Sequence, residues 1–257
     1  MKIYKPKFWE KKNLISYILL PFAYSIQFVL WIKNILIKKE KFDIPIICVG
    51  NIYIGGTGKT PLSIEIANFL KTEGKKPVII KKFYNNQLDE HQMIKDKNLH
   101  LITNISRKKA INEAISSNYN VVILDDGFQD NSIFKNLNIL CFNEKQLCGN
   151  EMTIPAGPLR EPISSIKKSE IILINGELNN NFNLKIQNIS KQTNIFYSEY
   201  LPKNLENFKN KNLLAFAGIG NPKNFFNLLE ENKLILSKKL TFPDHYNYSN
   251  KDLNKLI

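Results

Sequence analysis

Sixteen residues carry the clearest chemical signal in this chain: positions 46–61 read I-I-C-V-G-N-I-Y-I-G-G-T-G-K-T-P. In such a loop Gly55, Gly56, Thr57 and Gly58 bring backbone N–H groups close to phosphate oxygens. Lys59 can reach the terminal phosphates of a nucleoside triphosphate, and the Thr60 hydroxyl can bind Mg²⁺. Tyr53 stands where the usual pattern has Gly or Ala. A second acidic signal, Asp125-Asp126-Gly127-Phe128-Gln129, closes the apolar run Val121 to Leu124. A carboxylate at the carboxyl end of a strand is the expected magnesium partner of a phosphate loop.

Arginine usage adds a third candidate. Of 36 basic residues only Arg107 and Arg160 are Arg. In a chain so committed to Lys, a retained Arg suggests a place that needs the planar, bidentate guanidinium. Arg160 and Glu161 lie in P-A-G-P-L-R-E-P, residues 155–162, where proline fixes the backbone and hence the side-chain directions.

These residues need a scaffold. The run Ile46–Val49 is expected to be a buried strand, and Leu62–Thr72 a helix with Pro61 in its first turn. Pro77–Ile80, Val121–Leu124, Asn138–Phe142 and Ile171–Ile174 read as further strands, and Ser106–Ser117 as a helix capped by Ser106. Phe83–Gln92 reads as polar and irregular, and Glu177–Asn183 as a loop or linker. A second strand–glycine turn–helix unit follows at Leu213–Glu231, then a capped helix at Ser249–Leu256. The expectation is an α/β fold: a P-loop NTPase-type doubly wound sheet at 42–176, a connecting segment at 177–210 and a smaller α/β lobe at 211–257.

The net charge of +13 is concentrated at one end, since residues 1–41 hold nine Lys and two Glu. Within them Leu14–Ile32 carries no charge and is flanked by Trp9 and Trp31, a length that just reaches a bilayer span. Lysines on both sides suit a helix in one anionic leaflet as well as one that crosses. Residues 1–41 are therefore expected to be a basic, membrane-associated helix. Cys48, Cys141 and Cys148 have no metal-ligand spacing, and Cys48 and Cys141 sit in apolar runs as buried thiols would.

Taken together, the chain resembles the tetraacyldisaccharide 4'-kinases of lipid A synthesis. The resemblance rests on V-G-N-I-Y-I-G-G-T-G-K-T-P (49–61), D-D-G-F-Q (125–129), P-A-G-P-L-R-E-P (155–162), A-G-I-G-N-P (217–222) and F-P-D-H (242–245), in that order, after an N-terminal hydrophobic helix. It implies transfer of the ATP γ-phosphoryl to the 4'-hydroxyl of a lipid-linked glucosamine disaccharide 1-phosphate, at the cytoplasmic face of the inner membrane. It also implies a larger and a smaller lobe around the site.

Roles follow from the resemblance. Lys59, Thr60 and the backbone of Gly55–Gly58 hold ATP and Mg²⁺, Asp125 and Asp126 complete the metal site, and Glu161 positions Arg160 or serves the metal. Asp89 matches the carboxylate thought to take the hydroxyl proton, and His245 the histidine thought to pair with it. Arg160 neutralises phosphate, and Asp244 orients or tunes His245. His91 and His100 carry no motif and read as surface residues. Three departures stand out. The family's S-R-G-Y-G is here Lys81-Lys82-Phe83-Tyr84-Asn85, its His after D-D-G-F-Q is Asp130, and its members continue past F-P-D-H through T-E-K-D.

Two other classes compete. A membrane-associated P-loop ATPase switch of the partitioning type shares G-G-T-G-K-T, but such proteins begin the loop with a signature Lys where Ile54 stands here. A nucleic-acid binder is suggested only by net charge, and lysines clustered around an apolar segment fit an anionic lipid surface better. No obligate protein partner is evident.

Overall fold

In a computed structural model of the chain, the described residues are 6–83, 88–220, 222–243, 246 and 248–254. For residues 88–90, 251 and 253 the description covers the backbone alone. The chain falls into two units, Tyr4–Glu199 and Tyr200–Ile257.

The first unit opens with helix α1 (Leu14–Leu36) and then alternates strand and helix: β1 (Ile46–Gly50), α2 (Lys59–Thr72), β2 (Pro77–Lys82), α3 (Leu88–Lys95), β3 (Leu101–Asn104), α4 (Arg107–Ser116) and β4 (Val121–Asp125). It closes with β5 (Leu137–Asn143), β6 (Ile171–Asn175), α5 (Asn180–Ile189) and β7 (Asn194–Ser198). The seven strands form one parallel sheet in the order β3-β2-β4-β1-β5-β6-β7.

Period-two alternation sorts each strand's residues between two cores. Ile46, Cys48, Val78, Ile80, Val122, Leu124, Leu140 and Phe142 face one, where α4 adds Ala110, Ile111 and Ala114 and α5 adds Phe182 and Ile186. Val49, Ile79, Ile123 and Cys141 face the other, with Ile64 and Ala67 of α2 and Ile94 of α3. A sheet covered on both faces explains why the central strands read as unbroken apolar runs.

Three expectations change here. Residues 88–95 are helical rather than irregular. The segment 177–210, read as a connector, holds α5 and the edge strand β7, because Asn179 caps the Phe182 N–H and Phe182 and Ile186 bury themselves. His91, read as a surface residue, is buried on α3, whereas His100 is exposed and meets the Tyr119 ring.

The second unit pairs β8 (Asn212–Ala217) with β9 (Ile235–Thr241) in parallel, joined by α6 (Pro222–Glu231). Ala215, Ala217 and Phe226 form its small core. Phe216, Phe242, Tyr246 and Tyr248 interlock at the sheet end, and α7 (Asn250–Leu253) starts with a Ser249–Asp252 capping box.

Helix α1 is built inside out. Ser16 and Ala23 are fully buried, while Leu14, Ile18, Phe22, Val29 and Ile35 are exposed. Its contacts with the body are polar: Ser16 Oγ accepts from Asn150 Nδ2, Gln27 Nε2 donates to the Arg160 carbonyl at 3.5 Å, and Asn34 Oδ1 accepts from Asn131 Nδ2. Positions 16, 23, 27 and 34 fall on one helix face by their seven- and four-residue steps. The polar and small stripe therefore meets protein and the apolar face points away.

Candidate phosphate-transfer site

The glycine loop leaves the carboxyl end of β1, where doubly wound sheets bind their ligands. Gly50 is required by packing, since a Cβ there would lie 2.4 Å from the Phe128 Cβ. The Asn51 amide donates to the Gly55 carbonyl and to Thr57 Oγ1, each at 3.1 Å, which holds the loop folded back on itself. Gly58 takes φ 87°, a left-handed turn that costs glycine little, and becomes the N-cap of α2 without a side-chain partner. The first-turn N–H groups of α2 thus have neither a capping side chain nor a first-turn acid, an arrangement suited to an anion.

The proline-pinned segment is stitched onto this loop. Ile54 N–H donates to the Pro158 carbonyl at 2.9 Å and Arg160 N–H to the Ile52 carbonyl at 2.7 Å. Two backbone bonds therefore fix Arg160 beside the phosphate loop. Its Nη1 lies 2.9 and 3.1 Å from the two Asp126 oxygens, and Lys59 Nζ is 3.8 Å from Oδ1 of the same carboxylate.

Strand register sets the other half. Val49 of β1 pairs with Asp125 of β4, so the last residue of β4 sits beside the loop. Thr60 Oγ1 donates to Asp125 Oδ2 at 2.8 Å. Asp125 is almost fully buried, and its Oδ1 has no hydrogen-bond partner among the described residues. A buried, orphaned carboxylate oxygen beside a threonine hydroxyl fits a hard cation.

Asp126 turns out of the strand at φ 59° and serves a different purpose. Arg107 Nη2 donates to its carbonyl at 2.7 Å and reaches Asp130 at 3.4 Å. Burial works against the Asp126 charge, yet Lys59, Arg160 and Arg107 hold its carboxyl below the ordinary carboxylate value. Asp130 is likewise held low despite its burial, chiefly by the Ser132 hydroxyl and Arg107.

The expected metal set of Thr60, Asp125, Asp126 and Glu161 is therefore only partly assembled. Thr60 and Asp125 meet, Asp126 faces Arg160 and Lys59, and Glu161 pairs with Lys168 Nζ at 2.8 Å. Among the described residues no three His, Cys, Asp or Glu side chains gather as metal ligands. Interleaved cations are the physical reason, since each of the outer carboxylates already has one. Asp89 lies on α3, with its side chain outside the description, and Asp244 and His245 lie outside the described residues.

Two residues emerged that motif reading did not place. Arg107, flagged only by its rarity, locks the Asp126 turn. Lys81 Nζ lies 2.7 Å from Asp125 Oδ2 and 3.2 Å from Thr60 Oγ1. Its available signal was a lysine directly after the apolar strand residues Pro77–Ile80, one step beyond the Ile80–Leu124 pair.

Comparison with known proteins shows which family the chain is similar to. The family model of tetraacyldisaccharide-1-P 4'-kinases matches residues 15–101 and 89–257. The tetraacyldisaccharide 4'-kinase of Pelagibacter ubique is 44% identical, over 100% of this chain and 83% of its own length. That of Rickettsia bellii is 32% identical, over 100% of this chain and 84% of its own. Among solved structures, LpxK from Aquifex aeolicus in complex with ATP superposes with a TM-score of 0.71 at 25% identity, covering 92% of this chain and 84% of that one.

Proposed function

Because the chain belongs to the tetraacyldisaccharide-1-P 4'-kinase family, we propose that it moves the γ-phosphoryl of ATP onto the 4'-hydroxyl of a tetraacyl glucosamine disaccharide 1-phosphate. The observation that carries this reading is the junction of the glycine loop, Lys59 and Thr60 with Asp125 and Arg160 at the carboxyl ends of β1 and β4. Phosphoryl transfer needs little covalent help from protein, so positioning and charge neutralisation supply most of the catalysis.

The first-turn amides of α2 and Lys59 would cradle the β- and γ-phosphates. Thr60 and Asp125 are the residues that fit magnesium, which when bound would neutralise phosphate charge. The ion's usual shell of a carboxylate or two, phosphate oxygens and water does not require the Asp126 or Glu161 carboxylates. Arg160 faces the same loop and is proposed to receive charge on the transferring group, with Asp126 holding its guanidinium in place meanwhile. Asp89 is proposed as the proton acceptor for the sugar hydroxyl, assisted by His245; both assignments come from the motif match.

Helix α1 suggests how a membrane-held acceptor meets a soluble nucleotide. Its 23 residues would extend about 34 Å, similar to a bilayer's hydrocarbon core. Its outward apolar face is proposed to bury in the cytoplasmic leaflet of the inner membrane, with the flanking lysines on anionic headgroups. Gln27 on this helix reaches the Arg160 carbonyl, which would keep the bilayer and the phosphate loop adjacent.

Acceptor dependence tests the proposal. ATP consumption should require the acylated disaccharide 1-phosphate in mixed micelles. Turnover with membranes alone, unaffected by that lipid, would favour a switch ATPase instead.

A further inference from the structure

We propose that the cleft between residues 39, 128–138 and 168 binds the phosphate of an anionic phospholipid headgroup. The proposal rests on the membrane docking of α1 and adds a defined site to it.

The cleft has a volume of about 230 Å³, below the roughly 300–1,000 Å³ of pockets for drug-sized ligands and suited to a small polar group. Lys39, Lys135 and Lys168 line it, together with Asn131 and Asn138. The carboxylates around it already have partners. Glu161 pairs with Lys168, Glu40 with Lys108 and Asp130 with Arg107, while Glu170 accepts from the Asn138 backbone N–H. Lys39 and Lys135 form no ion pair among the described residues. The Lys135 ammonium donates to the Phe128 carbonyl at 2.8 Å and lies 5.7 Å from the centre of the Phe128 ring. That uses one of its three N–H bonds, and burial pushes the group below the ordinary lysine value. Two uncompensated ammoniums with donors to spare fit a phosphate group, whose oxygens accept several charge-assisted hydrogen bonds at once.

Position selects a lipid as the source. Asn131 Nδ2 donates to Asn34 Oδ1 of α1 at 2.9 Å, and Lys39 stands three residues beyond the end of that helix at Leu36. Glu40 N–H donates to the Ser132 carbonyl and Phe134 N–H to the Glu40 carbonyl, which fastens the exit of α1 to the rim of the cleft. With the apolar face of α1 in a leaflet, headgroups lie beside this rim. Asn138 stands near the start of β5 and Lys168 precedes β6, toward the opposite end of the parallel sheet from the phosphate loop. The cleft is therefore placed to hold a bilayer lipid while the transfer site works.

The test is thermal unfolding of the intact chain in neutral detergent at fixed ionic strength. Short-chain phosphatidylglycerol should raise the melting temperature to a plateau. Short-chain phosphatidylcholine should have little effect, because its choline cation meets the lysines, and so should inorganic phosphate, which adds no apolar contact with α1. In Lys39→Gln/Lys135→Met the concentration giving half the effect should rise at least about tenfold. In Lys11→Gln/Lys12→Gln, which removes two exposed lysines from the other flank of α1, it should stay near the native value. Equal loss in the two double variants would mean diffuse attraction and overturn the proposal, as would no response of the native protein to phosphatidylglycerol. A plateau reached as readily with inorganic phosphate overturns the lipid source. Should Lys135→Met not fold, Lys39→Gln compared with Lys11→Gln decides in the same way, since both lysines are exposed. Failure of the native protein to bind any vesicle, with this titration still saturating, would instead overturn the membrane docking of α1.

Discussion

Arg160 reaches over the phosphate loop to Asp126, with Nη1 2.9 Å from one carboxylate oxygen and 3.1 Å from the other. The pair closes a chain of cause that begins in the backbone. Prolines fix residues 155–162, two main-chain bonds tie that segment to Ile52 and Ile54, and the guanidinium then has one direction to point. Asp126 thus pairs with the arginine that is proposed to receive phosphate charge.

If the guanidinium's shape matters, Arg160→Lys should rescue little. Arg160→Ala is expected to lower kcat/KM by about 100-fold, with Lys within a few-fold of Ala, because an ammonium cannot reproduce the planar fork. Steady-state kinetics with lipid acceptor in detergent check this. Full activity of Arg160→Lys would reduce the residue to a point charge.

Loss of Lys59 should separate chemistry from folding. Lys59→Ala is expected to cut phosphoryl transfer by about 100-fold or more, because its ammonium, 13% exposed and 3.8 Å from Asp126, is the loop's cation nearest the described carboxylate. The melting temperature without ligand should fall only modestly, by the share of the Asp126 pairing that Lys59 supplies, since the residue packs in neither core.

The Asp126 carboxyl gives a pH signature. Its folded value is lowered, so its contribution to stability is complete above the ordinary carboxylate value of about 3.9 and is lost as pH falls through the lower folded value. Arg160→Met removes one of the causes of the lowering. The drop in melting temperature on acidification should then be shallower in the variant than in the native protein, measured from about pH 6 downward. Parallel curves would mean that the ion pair contributes nothing to stability.

Apolar contacts on α1 should govern membrane binding alone. Ile18, Phe22 and Val29 are 61%, 62% and 64% exposed. Changing all three to Gln is expected to weaken binding to anionic vesicles by roughly 100-fold or more, with Mg·ATP affinity unchanged. Co-sedimentation and nucleotide titration give the two readouts. Equal loss of both would mean that the helix supports the fold instead.

Thiol chemistry offers a simpler check on burial. Desolvation pushes Cys48 up to about 11 and Cys141 and Cys148 up to about 12. A thiol reagent should therefore titrate no cysteine in the native protein and all three after denaturation.

Much of this site could be read before any coordinates. The glycine loop, Lys59-Thr60 and the apolar strand ending in Asp125 are local patterns, and the β1–β4 register joins them. What escaped reading depends on context. Residues 88–95 are too polar to announce a buried helix, yet Ile94 is fully buried beneath it. Asn179–Ile189 looks like a linker until Asn179 is seen to cap it and Phe182 to meet Phe142. β7 runs along the sheet edge with Ile195 and Tyr197 half-buried against the core and Phe196 turned to solvent, so the apolar–polar alternation that betrays a strand is missing from its sequence. Lys81 could be counted as a departure from the family motif, but only tertiary packing turns its ammonium toward Asp125.

The most direct measurement supplies purified protein with γ-labelled ATP, Mg²⁺ and the acylated disaccharide 1-phosphate in detergent, then locates the label in the lipid. Label should appear as a phosphomonoester on the 4'-oxygen and fall by about 100-fold or more with Lys59→Ala. Label released only as inorganic phosphate, or attached at another position, would contradict the assignment.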